Sequence, residues 1–127
     1  MSEEISKISK YIFLIAFIVQ VIFGIWYFIA PETWSTLTGW PVETAAGRAL
    51  GAAIMTFALG SFLAYRATSW DKVELFVIMQ ILWNILGLIA MLWAYFTMTL
   101  PVAIWLMVGL LGLLVILFLY VYMQEKS

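Results

Sequence analysis

The chain has 127 residues, of which 66% are hydrophobic and only 10% are charged. A soluble domain carries about 25% charged residues because its surface must face water, so this composition excludes an ordinary water-soluble domain. The net charge of −1, with Lys and Arg scattered, offers no basic stripe and excludes nucleic acid as a partner.

The chain contains no cysteine and no histidine. Without cysteine there are no disulfides, no thiol–disulfide exchange, no Fe–S cluster and no thiolate metal site. Without histidine the usual haem ligand, the commonest zinc ligand and the commonest general base are missing. A serine–histidine nucleophile and a His-Glu-x-x-His metalloprotease site are excluded on the same ground. No metal or resident cofactor is expected.

In chain order, a polar and charged leader over residues 1–10 precedes an apolar run over 11–30 without any ionisable group. A run of about 20 residues crosses a hydrocarbon core of about 30 Å. The acidic start and the length of the run argue against a cleaved signal peptide and for a retained helix. Residues 31–41, with Pro31, Gly39 and Pro41, read as a loop. A second span covers 44–64, a third 73–98 and a fourth 102–123, with short breaks at 65–72 and 99–101 and a polar tail from Gln124. The expected fold is all-α: one integral-membrane four-helix bundle filling a single domain, with consecutive helices antiparallel. Lys7, Lys10, Arg66, Lys72 and Lys126 all fall on one side of that arrangement, whereas the other two loops have no Lys or Arg. The positive-inside rule then predicts a multi-pass protein of the cell membrane with both termini cytoplasmic, N-in and C-in.

The second span is rich in small residues. Gly47 and Gly51 are four apart, and Thr56, Gly60 and Ala64 continue the spacing, a pattern that lets helix backbones approach closely in lipid. Gly47, Gly51 and Gly60 are the expected packing positions, serving either contacts within the chain or a homo-oligomer face. Arg48 lies about one turn inside this span, and an ionisable group there is a candidate site by default. Glu32 and Glu43 are its acidic partners on that side, either to pin the tryptophan-bearing first loop to the helices or to help hold an anionic substrate. Trp34 and Trp40 are expected to anchor that loop at the headgroup level. Deeper, Gln20, Gln80 and Asn84 are uncharged and polar. They bond across helices or line a pocket, with Met55, Trp83 and Met91, for the head of a lipid or quinone. Glu32, Glu43, Asp71 and Glu74 fall at or beyond the interfaces, which argues against a proton-coupled carrier.

The stretch from APETWSTLTGWPVE through GRALGAAIMTFALGSFLAY resembles the DoxX-like group of small four-helix prokaryotic membrane proteins. Arg48, Gly51 and Gly60 carry the resemblance, which covers the first three spans. It implies a four-helix bundle acting as an accessory to a larger redox or transport complex. In size and in having Arg in the second span the chain also resembles the four-helix membrane glutathione transferases. It departs from their Arg-x-x-x-Asn-x-x-acid pattern, which reads Arg48, Ala52 and Met55 here. The function expected is therefore that of a non-enzymatic lipophilic-ligand-binding protein or a small subunit of a membrane assembly. The alternative is an enzyme or carrier using Arg48 near the outer face.

Because the chain has no cysteine, orientation is directly measurable. Ser35→Cys should react with an impermeant thiol reagent in intact cells, and Ser127→Cys should react only after permeabilisation. Labelling of Ser127→Cys in intact cells would refute the N-in, C-in arrangement.

Overall fold

The structure, a computed structural model, describes residues 5–126. Residues 1–4 of the polar leader and Ser127 at the end of the polar tail lie outside the described residues. The order of elements is α1 (Lys7–Ile29), α2 (Pro31–Thr38), α3 (Thr44–Arg66), a 3-10 turn (Trp70–Lys72), α4 (Glu74–Thr97) and α5 (Ile104–Lys126). α1, α3, α4 and α5 each have 23 or 24 residues. At 1.5 Å per residue that is about 35 Å, enough to cross a hydrocarbon core of about 30 Å. These four apolar helices make the chain a membrane protein. Large apolar side chains such as Ile18, Leu59, Leu82 and Ile116 stand exposed on their outer faces, an apolar extent suited to lipid and not to water.

Three differences from the expected elements are larger than the one- or two-residue shifts at the other helix ends. α1 begins at Lys7 and not at residue 11, because Ser6 caps it: the Ser9 amide donates to Ser6 Oγ at 3.2 Å. Residues 31–38, expected as loop, form α2. Pro31 occupies its first turn, where the missing N–H costs nothing, and Gly39 ends it at φ 77° with its amide bonded to Ser35 O. α5 runs on to Lys126, so most of the expected polar tail is helical. Glu125 explains the extension, accepting from Ser9 Oγ at 2.7 Å and from the Ser6 amide at 3.1 Å. Lys126 also pairs with Glu74 at 2.7 Å. The start of α1, the start of α4 and the end of α5 thus meet at one end of the molecule.

α1 packs chiefly on α3, and α4 on α5. The first pairing depends on glycine. A Cβ on Gly51 would stand 2.7 Å from Gly24 O and 2.8 Å from Phe28 Cα, both backbone atoms, and one on Gly24 would stand 3.0 Å from the Met55 amide. Gly47 faces Val42 and Pro31, at 2.8 and 2.9 Å from its would-be Cβ, so it seats the start of α2 against α3. Gly60 faces the Phe76 ring of α4. Gly47, Gly51 and Gly60 are therefore each occupied within the chain, whereas Thr56 between them is exposed.

Two apolar clusters fill the interior. The cluster near the termini centres on Phe13, Phe118, Val77 and Val121, all fully buried. The other centres on Trp34, with Tyr27, Trp40 and Ile104. Trp34 is 1% exposed, edge-on to Trp26 at 5.1 Å and to Phe23 at 5.9 Å between ring centroids. Trp34 and Trp40 were expected at the headgroups and are core residues instead, because α2 folds back over the helix ends.

Gly51→Leu should force α1 and α3 apart and lower stability by about 3 kcal/mol or more, the upper range for overpacking. Gly109→Leu, at a position with nothing within 4 Å of its Cβ, should leave melting in detergent nearly unchanged. Equal melting of the two variants would disprove the close α1–α3 approach.

Candidate intramembrane binding site

Five of the six candidate polar residues fall into two separate groups, and Glu43 stands apart. Arg48 and Glu32 meet at the α1–α2–α3 corner. Arg48 Nη1 donates to Phe28 O at 2.9 Å and to Ile29 O at 3.2 Å, and Nη2 donates to Glu32 at 3.3 Å. Phe28 and Ile29 end α1, where carbonyls lack helical partners and the helix dipole is negative, so the guanidinium caps that helix. The Arg48 and Glu32 side chains are 46% and 57% exposed. Glu43 does not join them. It caps α3, accepting from the Ala46 amide at 2.8 Å and the Ala45 amide at 3.1 Å. Those two amides, Ala46 foremost, hold its carboxyl below the usual carboxylate range.

Gln20, Gln80 and Asn84 do come together, joined by Ser61, a small residue in a run of small residues with no signal of its own. All four are buried. Gln20 is bonded to Ser61 and Gln80 whichever way its amide is turned. With its nitrogen toward Gln80 it donates to Gln80 Oε1 at 3.0 Å and its oxygen accepts from Ser61 Oγ at 2.8 Å and from Gln80 Nε2 at 3.3 Å. Turned over, its nitrogen donates to Ser61 Oγ at 2.8 Å and to the Ala16 and Phe57 carbonyls at 3.2 Å, and its oxygen accepts from Gln80 Nε2 at 3.0 Å. Gln80 Nε2 also donates to Ser61 Oγ at 3.1 Å. Asn84 Nδ2 donates to Gln80 O at 2.7 Å and to Gln80 Oε1 at 3.2 Å. One atom of this layer stays unmatched: Asn84 Oδ1 is buried without a hydrogen-bond partner among the described residues.

Directly beyond this layer lies a cavity of about 470 Å³. Its walls are the outer half of α1, from Val19 through Phe23 to Tyr27, and α4 residues Trp83, Gly87, Ala90 and Met91. Leu50 and Ile54 of α3, Met107 and Leu111 of α5 and Trp40 complete it. Among the described residues, Gln20 and Asn84 are the only amide side chains in the wall, and no Asp, Glu, Lys or Arg lines it. α3 and α4 touch toward the termini, where Phe57 stacks on Trp83 with centroids 4.9 Å apart and Gly60 meets Phe76. Farther out the two helices part, with the half-exposed Leu50 and Leu86 both in the wall. Met55, expected in such a pocket, packs instead on Gly24. Trp83 and Met91 do line it.

No protein-family model matches the chain, and no curated protein or solved structure does. Geometry alone therefore ranks the two groups. The Arg48 corner is half exposed and its donors are engaged by its own chain. The amide layer is buried and adjoins a half-open cavity.

Arg48→Ala should destabilise the chain by about 1 kcal/mol, since it removes charged hydrogen bonds that solvent partly screens. Glu32→Gln should cost less than about 0.5 kcal/mol, as for an exposed ion pair. Melting of both variants in detergent checks this. An equal loss for the two would mean that the ion pair, and not the α1 cap, is what Arg48 contributes.

Proposed function

We propose that this protein is a non-enzymatic membrane protein that takes a lipophilic molecule from the bilayer into the cavity between its helices. The observation that carries this reading is the cavity itself: about 470 Å³, lined mostly by apolar side chains, with Gln20, Tyr27, Trp40, Trp83 and Asn84 as the polar-tipped residues among them. Ligand sites span about 300–1,000 Å³ and combine apolar walls with a few placed polar groups. The parting of α3 and α4 on the outer side supplies a lateral portal, so a ligand need never cross water. The four long helices are read as one bundle in the cell membrane, with both termini cytoplasmic, as the positive-inside rule favours. Membrane lipid is then both the surroundings and the source of the ligand. The resemblance to DoxX-like proteins agrees with such an arrangement, and a homo-oligomer or a larger complex would have to form through the outer, lipid-facing surfaces.

The reading as an enzyme or carrier holding an anion at Arg48 has less support. That guanidinium already donates to Phe28 O, Ile29 O and Glu32, and Glu43 is occupied as a helix cap.

Filling the cavity tests the proposal. Gly87 and Ala90 both line it, and a Cβ on Gly87 would meet only Leu111 methyl groups at 3.4 and 3.5 Å. Gly87→Phe and Ala90→Phe should therefore fold while occupying the space. Native mass spectrometry of wild type extracted from its membranes should show a bound lipophile, reduced at least tenfold in each variant. Retention of the same bound species in both variants would refute the cavity as the binding site.

A further inference from the structure

We infer that the molecule held in the cavity presents a neutral carbonyl at its head, and that the Tyr27 hydroxyl donates a hydrogen bond to it. This rests on the reading of the cavity as a ligand site and adds the chemical class and orientation of what enters.

Tyr27 is 4% exposed and packs on Trp34, with ring centroids 5.3 Å apart, where α2 folds over the end of α1. A long side chain on a helix leans back toward the helix start, over the residues three and four before it. For Tyr27 those are Gly24 and Phe23, and Phe23 lines the cavity as Tyr27 does. The hydroxyl is thus carried into the cavity from its α2 end and not out past Ala30. It makes no hydrogen bond among the described residues, yet unlike Trp34 Nε1 and Asn84 Oδ1 it keeps surface open to an incoming atom. A phenol without a partner in apolar surroundings is costly, and an incoming acceptor removes that cost.

The other polar tips of the wall favour the same class. Gln20 is bonded to Ser61 and Gln80 in either orientation of its amide, and Asn84 Oδ1 is enclosed. Trp40 and Trp83 carry indole N–H groups, which only donate. What the wall has left to offer is donors. A carboxylate or phosphate accepts but brings a charge, and among the described residues no Lys or Arg lines the cavity to balance it. An ammonium only donates and finds no carboxylate there. A neutral carbonyl, of an acyl ester or of a quinone, accepts without a charge. With that head at Tyr27, the tail runs past Phe23 and Ile54 toward Gln20, about two turns deeper along α1.

Tyr27→Phe removes the hydroxyl and keeps the ring that packs on Trp34, so it should fold. Tryptophan quenching in detergent reads the site, since Trp40 and Trp83 are in the wall. Quenching that persists in Gly87→Phe, whose cavity is filled, measures micelle contact with exposed tryptophans such as Trp93 and is subtracted. The probes are methyl 12-bromododecanoate, 1-bromododecane and, in alkaline buffer, 12-bromododecanoate. In the wild type the ester should quench at about fivefold lower concentration than the alkane, the scale of one hydrogen bond between neutral groups. In Tyr27→Phe the ester should lose that advantage while the alkane is unchanged. Equal quenching by ester and alkane in the wild type, or an ester advantage kept in Tyr27→Phe, would overturn the inference and leave the cavity reading intact. So would equal weakening of both probes in Tyr27→Phe, the mark of a structural role alone. Quenching by the carboxylate at the concentration of the ester would overturn the neutral head. No quenching above background by any probe overturns both readings. Competition identifies the source of the carbonyl. Displacement of the bromoester by decylubiquinone at lower concentration than by methyl dodecanoate supports a quinone head, and the reverse order supports an acyl ester. Displacement by neither overturns the inference.

Discussion

A carboxamide carried into hydrocarbon has to find its partners within the protein, and in this chain that requirement ties three helices together. Gln20 on α1, Ser61 on α3 and Gln80 on α4 satisfy one another at 2.8 to 3.1 Å. Lipid tails are as apolar as leucine, so burying Leu or Ile between helices gains little there. Association rests instead on close packing and interhelical hydrogen bonds. Contacts between the α1–α3 pair and the α4–α5 pair are otherwise sparse. The amide layer therefore carries much of what joins them, together with the Gly60–Phe76 and Phe57–Trp83 contacts beside it. On the side of this layer nearer the termini the helices close around Phe13 and Phe118. On the other side they are held apart.

The separation has its own causes. Gly24 and Gly51 draw α1 and α3 together to backbone contact, so their outer halves stay paired. Arg48 then binds the end of α1, and α2 folds over both helices with Trp34 as its core residue. α4 and α5 have no comparable glycine contact: Gly109 and Gly112 on α5 meet nothing. The α1–α3 pair is therefore the tighter of the two, and the slack collects between α3 and α4 on the side away from the termini. The cavity is what two separately packed pairs leave between them when the polar bonds that join them, the amide layer and the Ser6 and Ser9 bonds to Glu125, both lie on its side nearer the termini.

Much of this was legible in the sequence. The four apolar runs, the glycine spacing in the second span, and the i, i+4 placement of Gln80 and Asn84 follow from composition and helical period. What escaped is what depends on tertiary contact. α2 was hidden because Pro31, Thr and Gly39 are loop signals when counted, although Pro at the start and Gly just past the end are also the signature of a short helix. Ser61 looked like one more small residue in a small-residue run, and only the approach of Gln20 and Gln80 gives it a bonding role. Glu125 sat in an apparent tail until Ser6 and Ser9 were beside it. Arg48 drew attention as the lone charge inside a span, yet the structure leaves it half exposed and engaged by the carbonyls that end α1.

The polar point in the cavity wall matters more in a membrane than it would in water. A soluble protein gains affinity for a lipophile by removing apolar surface from water, about 25 cal/mol for each Å². A molecule already dissolved in the bilayer has paid nothing to leave water and recovers nothing on entering an apolar cavity. Apolar walls such as Phe23, Ile54 and Met91 thus shape the site without selecting strongly among molecules of similar size. A hydrogen bond differs, because hydrocarbon offers a polar head no partner while the wall does. Discrimination among membrane-dissolved molecules has to come from polar groups in the wall, and Gln20, Tyr27, Trp40 and Trp83 are lining residues that carry them.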